Sequence, residues 1–133
     1  MRNYDARQRA YAEFVGAIEA LDWQLYPAKE AVRSGSGVDD LSRAEIRESY
    51  IAMSRACGPI VMAAPSEIQQ VLHHTTIPRA RLARILMCHP SDHHADAGIR
   101  DEVQREWKEA QHAYRGLRER LRADLADITK SST

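Results

Sequence analysis

Two heptad-spaced apolar stripes, one near each end of the chain, constrain the fold more than any other feature. In each stripe, apolar residues recur at steps of three, four or seven positions. This spacing places them on one narrow side of a helix, and that side needs another helix to cover it. The stripes comprise Tyr4, Tyr11, Phe14, Ile18, Leu21 and Leu25, and then Val103, Trp107, Ala110, Tyr114, Leu117, Leu121 and Ile128. They predict an all-α helical bundle built on two long antiparallel helices.

The rest of the chain predicts shorter, proline-broken helices between these two. The first helix is expected to begin near Asn3 and to continue past a kink at Pro27, until the flexible turn of residues 34–37. Asp39 or Asp40 then caps a second helix that Gly58-Pro59 interrupts. A short helix from Ser66, a turn at residues 73–76 and a helix over residues 77–87 follow, and residues 88–98 form a loop. The last helix is expected over residues 97–128.

Length and composition agree with one domain of this kind. The chain has 133 residues, of which 44% are hydrophobic and 29% charged, as suits long helices with solvated outer faces. We therefore predict a single helical domain over residues 1–129 and a disordered tail over residues 130–133. Trp23 and Tyr26 lie off the first stripe, so this end of the first helix is expected to bury a second side.

Charge and cysteine usage limit the environment and the partners. Lys+Arg and Asp+Glu number 19 each, and this balance lacks the basic excess typical of nucleic-acid-binding proteins. Cys57 and Cys88 are too few for a disulfide framework. No apolar run approaches the roughly 18 residues of a membrane span. These features predict a cytoplasmic protein without a membrane partner.

Three short stretches carry a resemblance to other proteins. They are Ala10 to Phe14, Met62 to Ile68 with its Ala-Ala-Pro-Ser-Glu core, and Leu121 to Leu125. In these stretches the chain resembles a group of uncharacterised all-helical proteins from high-GC actinobacteria. The resemblance implies a long antiparallel helical hairpin with a broken helix between its arms. It implies no activity, cofactor or catalytic residue.

The stripes themselves favour a function in protein–protein interaction. If the broken middle segment does not cover them, the exposed part of the seam needs a partner, and aromatic residues dominate such interfaces. We therefore predict a non-catalytic interaction or scaffolding module with coiled-coil-like helices, most simply a homodimer. Its anchors would be Tyr4, Tyr11, Trp107 and Tyr114. The alternative is that these four residues belong to the intramolecular core.

A second hypothesis is a small DNA-binding regulator. The short helix, the turn at residues 73–76 and the following helix have the order of a helix-turn-helix motif. Arg79, Arg81 and Arg84 on the second of these helices would contact phosphates or guanine edges. The favoured alternative is an ordinary solvated helix face, on which Arg81 and Arg84 are exposed beside Leu82.

A third hypothesis is a metal site in the loop after residue 87. Cys88, His89, His93 and His94 are of the residue types that bind zinc and other transition metals. Their spacing matches no closed zinc motif, and the favoured alternative is a polar, solvated loop that connects two helices. The sequence has no catalytic constellation and no cofactor motif, so we do not predict an enzyme.

Overall fold

The computed structural model of the protein describes residues 2–90 and 94–131, with the side chains of residues 4–90 and 94–130. These residues form four helices, α1 (Arg2–Arg33), α2 (Asp40–Ala63), α3 (Ser66–Met87) and α4 (Ala97–Ser131). The described residues contain no named strand; Val38 and Pro90 form one isolated bridge between two loops. The predicted all-α bundle is confirmed.

The helices are joined by short loops and alternate in direction. α1 packs against α2 and α4 and lies diagonally across from α3, while α2 and α3 pack together, as do α3 and α4. The antiparallel pairing of α1 with α4 follows from its contacts. Arg7 near the start of α1 binds Asp124 near the end of α4, and Tyr26 packs against Trp107 near the start of α4.

The core is centred on the predicted stripe of α1. All of this stripe from Tyr11 onward is buried, and the spacing continues beyond Pro27 through Ala28 and Val32. The helix therefore passes through Pro27, as expected. α4 contributes a matching row of buried residues, and the core members from these two helices include Tyr11, Phe14, Ile18, Leu21, Leu25, Val103, Tyr114, Leu117 and Leu121.

The middle of the chain differs from the prediction, because α2 is not interrupted at Gly58-Pro59. It runs for 24 residues with Pro59 inside its last turns. Ile46, Met53 and Ile60 are spaced at seven residues and are all buried, so one face of α2 stays against the core on both sides of the proline. This continuous burial offsets the hydrogen bond that proline removes from a helix.

The predicted turn at residues 73–76 is also wrong, because α3 is one helix of 22 residues that contains Pro78. Its buried stripe continues through the expected turn, but two positions are occupied by Thr75 and Arg79. Thr75 donates its hydroxyl hydrogen bond to Val71 O of its own helix and to Ala113 O of α4. Polar residues with buried partners thus replace apolar ones in the helical pattern.

The start of α2 follows ordinary capping chemistry. Asp39 is the N-cap of α2, and its Oδ1 accepts a hydrogen bond of 2.7 Å from Ser42 N. That bond holds the pKa of the Asp39 carboxyl below its usual value. α4 extends to Ser131, and residues 132–133, the end of the predicted disordered tail, lie outside the described residues.

Candidate functional site

One surface groove lies between α1 and α4, and we call it the acidic aromatic groove. It has a volume of about 460 Å³, and its principal lining residues are Glu19, Asp22, Trp23, Tyr26, Trp107 and Tyr114. Trp23 is 78% exposed and Tyr26 is 51% exposed. The prediction that these two residues bury a second side of α1 is therefore wrong, because no other helix covers this corner of the bundle.

The floor of this groove is a buried polar network that joins three helices. Arg79 of α3 is fully buried and donates to both oxygens of Asp22 on α1, at 2.9 and 2.7 Å. Gln111 of α4 donates to Asp22 Oδ2 at 3.0 Å, and Arg79 Nη1 donates to the backbone oxygens of Thr75 and Ala110. A network so fully satisfied rigidifies the elements that it links.

The far end of the groove is held by a buried lysine. The Lys29 ammonium lies 4.9 Å from the centroid of the Tyr26 ring and 5.4 Å from that of Trp107. The two rings are themselves 5.7 Å apart in a tilted arrangement. Lys29 also forms an ion pair of 2.9 Å with Glu30. These contacts fix the ring positions, which reduces the entropy that a partner must remove on binding.

A second groove, which we call the basic groove, lies on the same α1–α4 face toward the start of α1. It has a volume of about 290 Å³, and its principal lining residues are Tyr11, Val15, Arg118, Leu121, Arg122 and Leu125. Among the described residues, its lining contains two arginines and no carboxylate. The lining of the acidic aromatic groove contains Glu19 and Asp22 and no lysine or arginine.

The four predicted interface anchors have different positions in the fold. Tyr11 and Tyr114 are buried in the α1–α4 seam and do not form the exposed surface that the prediction required. Tyr11 Oη donates to Asp124 at 2.6 Å, and Tyr114 Oη donates to Glu19 at 3.0 Å. Tyr4 and Trp107 are half-buried. The intramolecular alternative is thus correct for Tyr11 and Tyr114, because α1 and α4 cover each other's stripes.

The buried tyrosines predict a loss of stability in alkali. Burial and the Glu19 carboxylate raise the pKa of Tyr114 to about 12, and burial and Asp124 raise the pKa of Tyr11 as well. Unfolded tyrosine ionises near pH 10, so the unfolded chain releases protons that the folded chain retains. We expect stability to fall as the pH rises from about 10 to about 12, measured by denaturant unfolding at each pH.

Comparison with a Tyr114→Phe variant tests whether the raised pKa belongs to Tyr114. The ultraviolet tyrosinate signal of the native protein, minus that of Tyr114→Phe, should titrate near pH 12 rather than near pH 10. A difference signal that is complete by about pH 10.5 would show that Tyr114 is not held in the protonated form by the fold.

The predicted nucleic-acid residues do not form a common surface. Arg79 points inward and is bound by Asp22, so it cannot reach a phosphate. Arg81 and Arg84 are exposed, and Arg81 lies 3.8 Å from Glu106. With the turn absent and one arginine buried, the helix-turn-helix arrangement is not present in α3.

The Cys/His loop packs against the loop between α1 and α2. Val38 N donates to His89 O at 2.6 Å, and Ala95 N donates to Gly35 O at 3.2 Å. Gly35 has φ +89°, a backbone conformation that residues with a side chain rarely adopt, so this position favours glycine. A Cβ there would also lie 3.3 Å from the His94 ring. Cys88 and His94 are exposed, whereas His93 lies outside the described residues. Among residues 2–90 and 94–131, no three metal-binding side chains cluster.

Other chemistry has little support in the described part of the chain. Burial raises the pKa of the Cys57 thiol, which lowers its reactivity at neutral pH. A wider hollow of about 620 Å³ beside the start of α2 is lined mainly by charged residues of both signs on that helix. No described helix has the length and apolar content needed to cross a bilayer.

Comparison with protein families, with characterised proteins and with solved structures finds no significant match. The resemblance to actinobacterial helical proteins therefore stays a prediction. The two grooves are the features of the described chain that bear most directly on function. The sequence singles out several of their residues, among them Trp23, Tyr26, Trp107 and Tyr114, but does not show that they share one surface. The sequence feature that indicates the acidic aromatic groove is the pair Trp23 and Tyr26. These two large aromatic residues are three positions apart and out of phase with the buried stripe of α1.

Proposed function

We propose that this protein is a non-catalytic protein-interaction module that binds a partner through the acidic aromatic groove. The observation that carries the proposal is the exposure of Trp23 and Tyr26 beside Trp107 on a rigid part of the bundle. Tryptophan, tyrosine and arginine supply most of the binding energy in protein interfaces, and exposed clusters of large aromatics typically mark such sites.

The bundle beneath the groove suits a scaffolding role. The Asp22–Arg79–Gln111 network and the Lys29 contacts hold the groove from below, so the binding surface is formed before the partner arrives. Preorganisation of this kind increases affinity without adding contacts. We also propose a cytoplasmic location, because the free thiols of Cys57 and Cys88 suit a reducing compartment.

Site-specific photo-crosslinking in the native cells tests the proposal. A photoreactive phenylalanine analogue at position 23 should form adducts with protein, because this position would face the partner. Met62 on α2 is the matched control, since it is apolar and 89% exposed but lies outside the groove. Adducts at position 23 that are absent at position 62 support the module. Equal labelling, or no protein adduct at position 23, contradicts it.

A further inference from the structure

The two grooves on the α1–α4 face differ in their exposed charged residues and lie one above the other along the same pair of helices. Glu19 lines the acidic aromatic groove, whereas Arg118 and Arg122 line the basic groove, with the Arg118 guanidinium also 5.8 Å from the Tyr114 ring centroid. The acidic aromatic groove spans residues 19–27 of α1, and the basic groove spans residues 8–15. Both are open to solvent, and exposed Glu19, Arg118 and Arg122 are at their edges. A face with a negative residue in one half and positive residues in the other is complementary to a second copy of the same face turned end for end.

We propose that the partner of this face is a second copy of the same chain, bound as a two-fold symmetric dimer; this inference rests on the proposed function. A two-fold axis in the plane of the face, perpendicular to the helices and between the levels of Val15 and Glu19, superimposes the acidic half of each copy on the basic half of the other. An isologous interface of this kind satisfies both halves at once and closes without further growth.

The axis assigns a position in the second copy to Glu19 and to Trp23. Glu19 faces the level of Val15 and Arg118 in the second copy, because Arg118 lines the basic groove together with Val15. Trp23 faces the level of Ala12, Leu121 and Arg122 in the second copy. There its ring meets apolar side chains and an arginine, and guanidinium groups stack well on tryptophan. Each contact occurs twice in the dimer.

The size of the face also suits a dimer. The grooves extend over α1 residues 8–27, which is about 30 Å of helix, and two adjacent helices are about 20 Å wide. The resulting face of roughly 600 Å² is comparable with the roughly 800 Å² that each partner buries in a standard interface. Asp22 adds little charge to this pairing, since Arg79 already neutralises it within the chain.

Charge reversal in trans tests the dimer. Glu19→Arg alone places like charges against Arg118 of the second copy, and Arg118→Glu alone places like charges against Glu19. Each variant should raise the dimer dissociation constant about 10-fold or more. An equimolar mixture of the two variants restores opposite charges at both contacts, so it should form a heterodimer about as tightly as the unaltered protein forms its homodimer. Analytical ultracentrifugation measures the dissociation constants of the two variants, of their mixture and of the unaltered protein.

The mixture is decisive because an effect within one chain cannot be rescued by another chain. Glu13→Arg is the matched control: Glu13 is exposed on α1 and lines neither groove, so its reversal should leave the dissociation constant unchanged. Circular dichroism confirms that each variant stays helical. Trp23→Ala, which changes no charge, should also weaken the dimer about 10-fold or more.

Three outcomes would overturn the second copy as partner. They are a monomeric unaltered protein at the highest soluble concentration, a dimer indifferent to Glu19→Arg, and a mixture no tighter than the single variants. These outcomes can be distinguished from a failure of the proposed interaction function. Adducts from position 23 to a different protein, together with a monomeric purified chain, would retain the interaction function and exclude the dimer.

Discussion

Replacing Arg79 with alanine is expected to lower the free energy of unfolding by about 3–5 kcal/mol. The change leaves the Asp22 carboxylate without the guanidinium that donates to both of its oxygens, and it removes the side-chain bonds to the backbone oxygens of Thr75 and Ala110. Removing one partner of a buried ion pair costs more than the pair contributes, because the remaining charge stays in a poorly solvated place. Urea denaturation followed by circular dichroism measures the change.

Arg84→Ala on the same helix is the control, since Arg84 is exposed and should change stability by no more than about 0.5 kcal/mol. A double-mutant cycle between Arg79→Ala and Asp22→Ala should return a coupling of about 0.5–3 kcal/mol. If Arg79→Ala costs less than about 1 kcal/mol, the guanidinium is not the buried connection between α1, α3 and α4 that the geometry shows. The Arg79 side chain would then be available for the nucleic-acid contact that the second sequence hypothesis assigns to it.

Replacing Leu117 with alanine should cost about 2–5 kcal/mol, because the residue is fully buried in the seam and its removal leaves a cavity. Leu21→Ala on the facing stripe of α1 should cost a similar amount for the same reason. The two values test whether the heptad stripes are the principal core of the bundle. Thermal or urea unfolding of each variant supplies them.

Leu41 provides the matched control for these two leucines. It is 70% exposed at the start of α2, so Leu41→Ala should stay within about 0.5 kcal/mol of the unaltered protein. Similar effects at positions 41 and 117 would mean that burial is not what distinguishes them, and the assignment of the seam would be wrong.

The long helices could be predicted because their information is local. A seven-residue apolar repeat specifies one helix face without reference to the rest of the chain, and the predicted seam residues Phe14, Leu21 and Leu117 are buried as expected. The cap at Asp39 is equally local, because the side chain and the amide that it binds are three residues apart.

The continuity of α3 could not be predicted in this way. Thr75 and Arg79 interrupt the apolar pattern, and Pro78 lowers the local helix preference. What makes the positions helical is the presence of Asp22 and Ala110, which are 57 and 31 residues distant from Arg79. Arg79, a candidate nucleic-acid contact in the sequence, is thus the most buried cation among the described residues.

The acidic aromatic groove could not be predicted as one surface for a related reason. Periodicity identifies a second side of α1 with Trp23 and Tyr26, but it does not say whether another helix covers that side. In the bundle, α1 contacts α2, α3 and α4. No described helix covers the outer side of the α1–α4 pair, where Trp23 and Tyr26 lie. The two aromatics are consequently exposed, and Tyr11 and Tyr114, expected at an interface, are in the core.

The amino-acid pattern was therefore sufficient to predict the helical class, the two long antiparallel helices and the residues of their shared seam, because a repeat of seven encodes one buried face. The folded bundle was needed to show which other faces are covered, which carboxylate binds Arg79 and how Glu19 and Arg118 are arranged on one surface. Those features depend on contacts between residues far apart in the chain, and such contacts leave no period in the sequence.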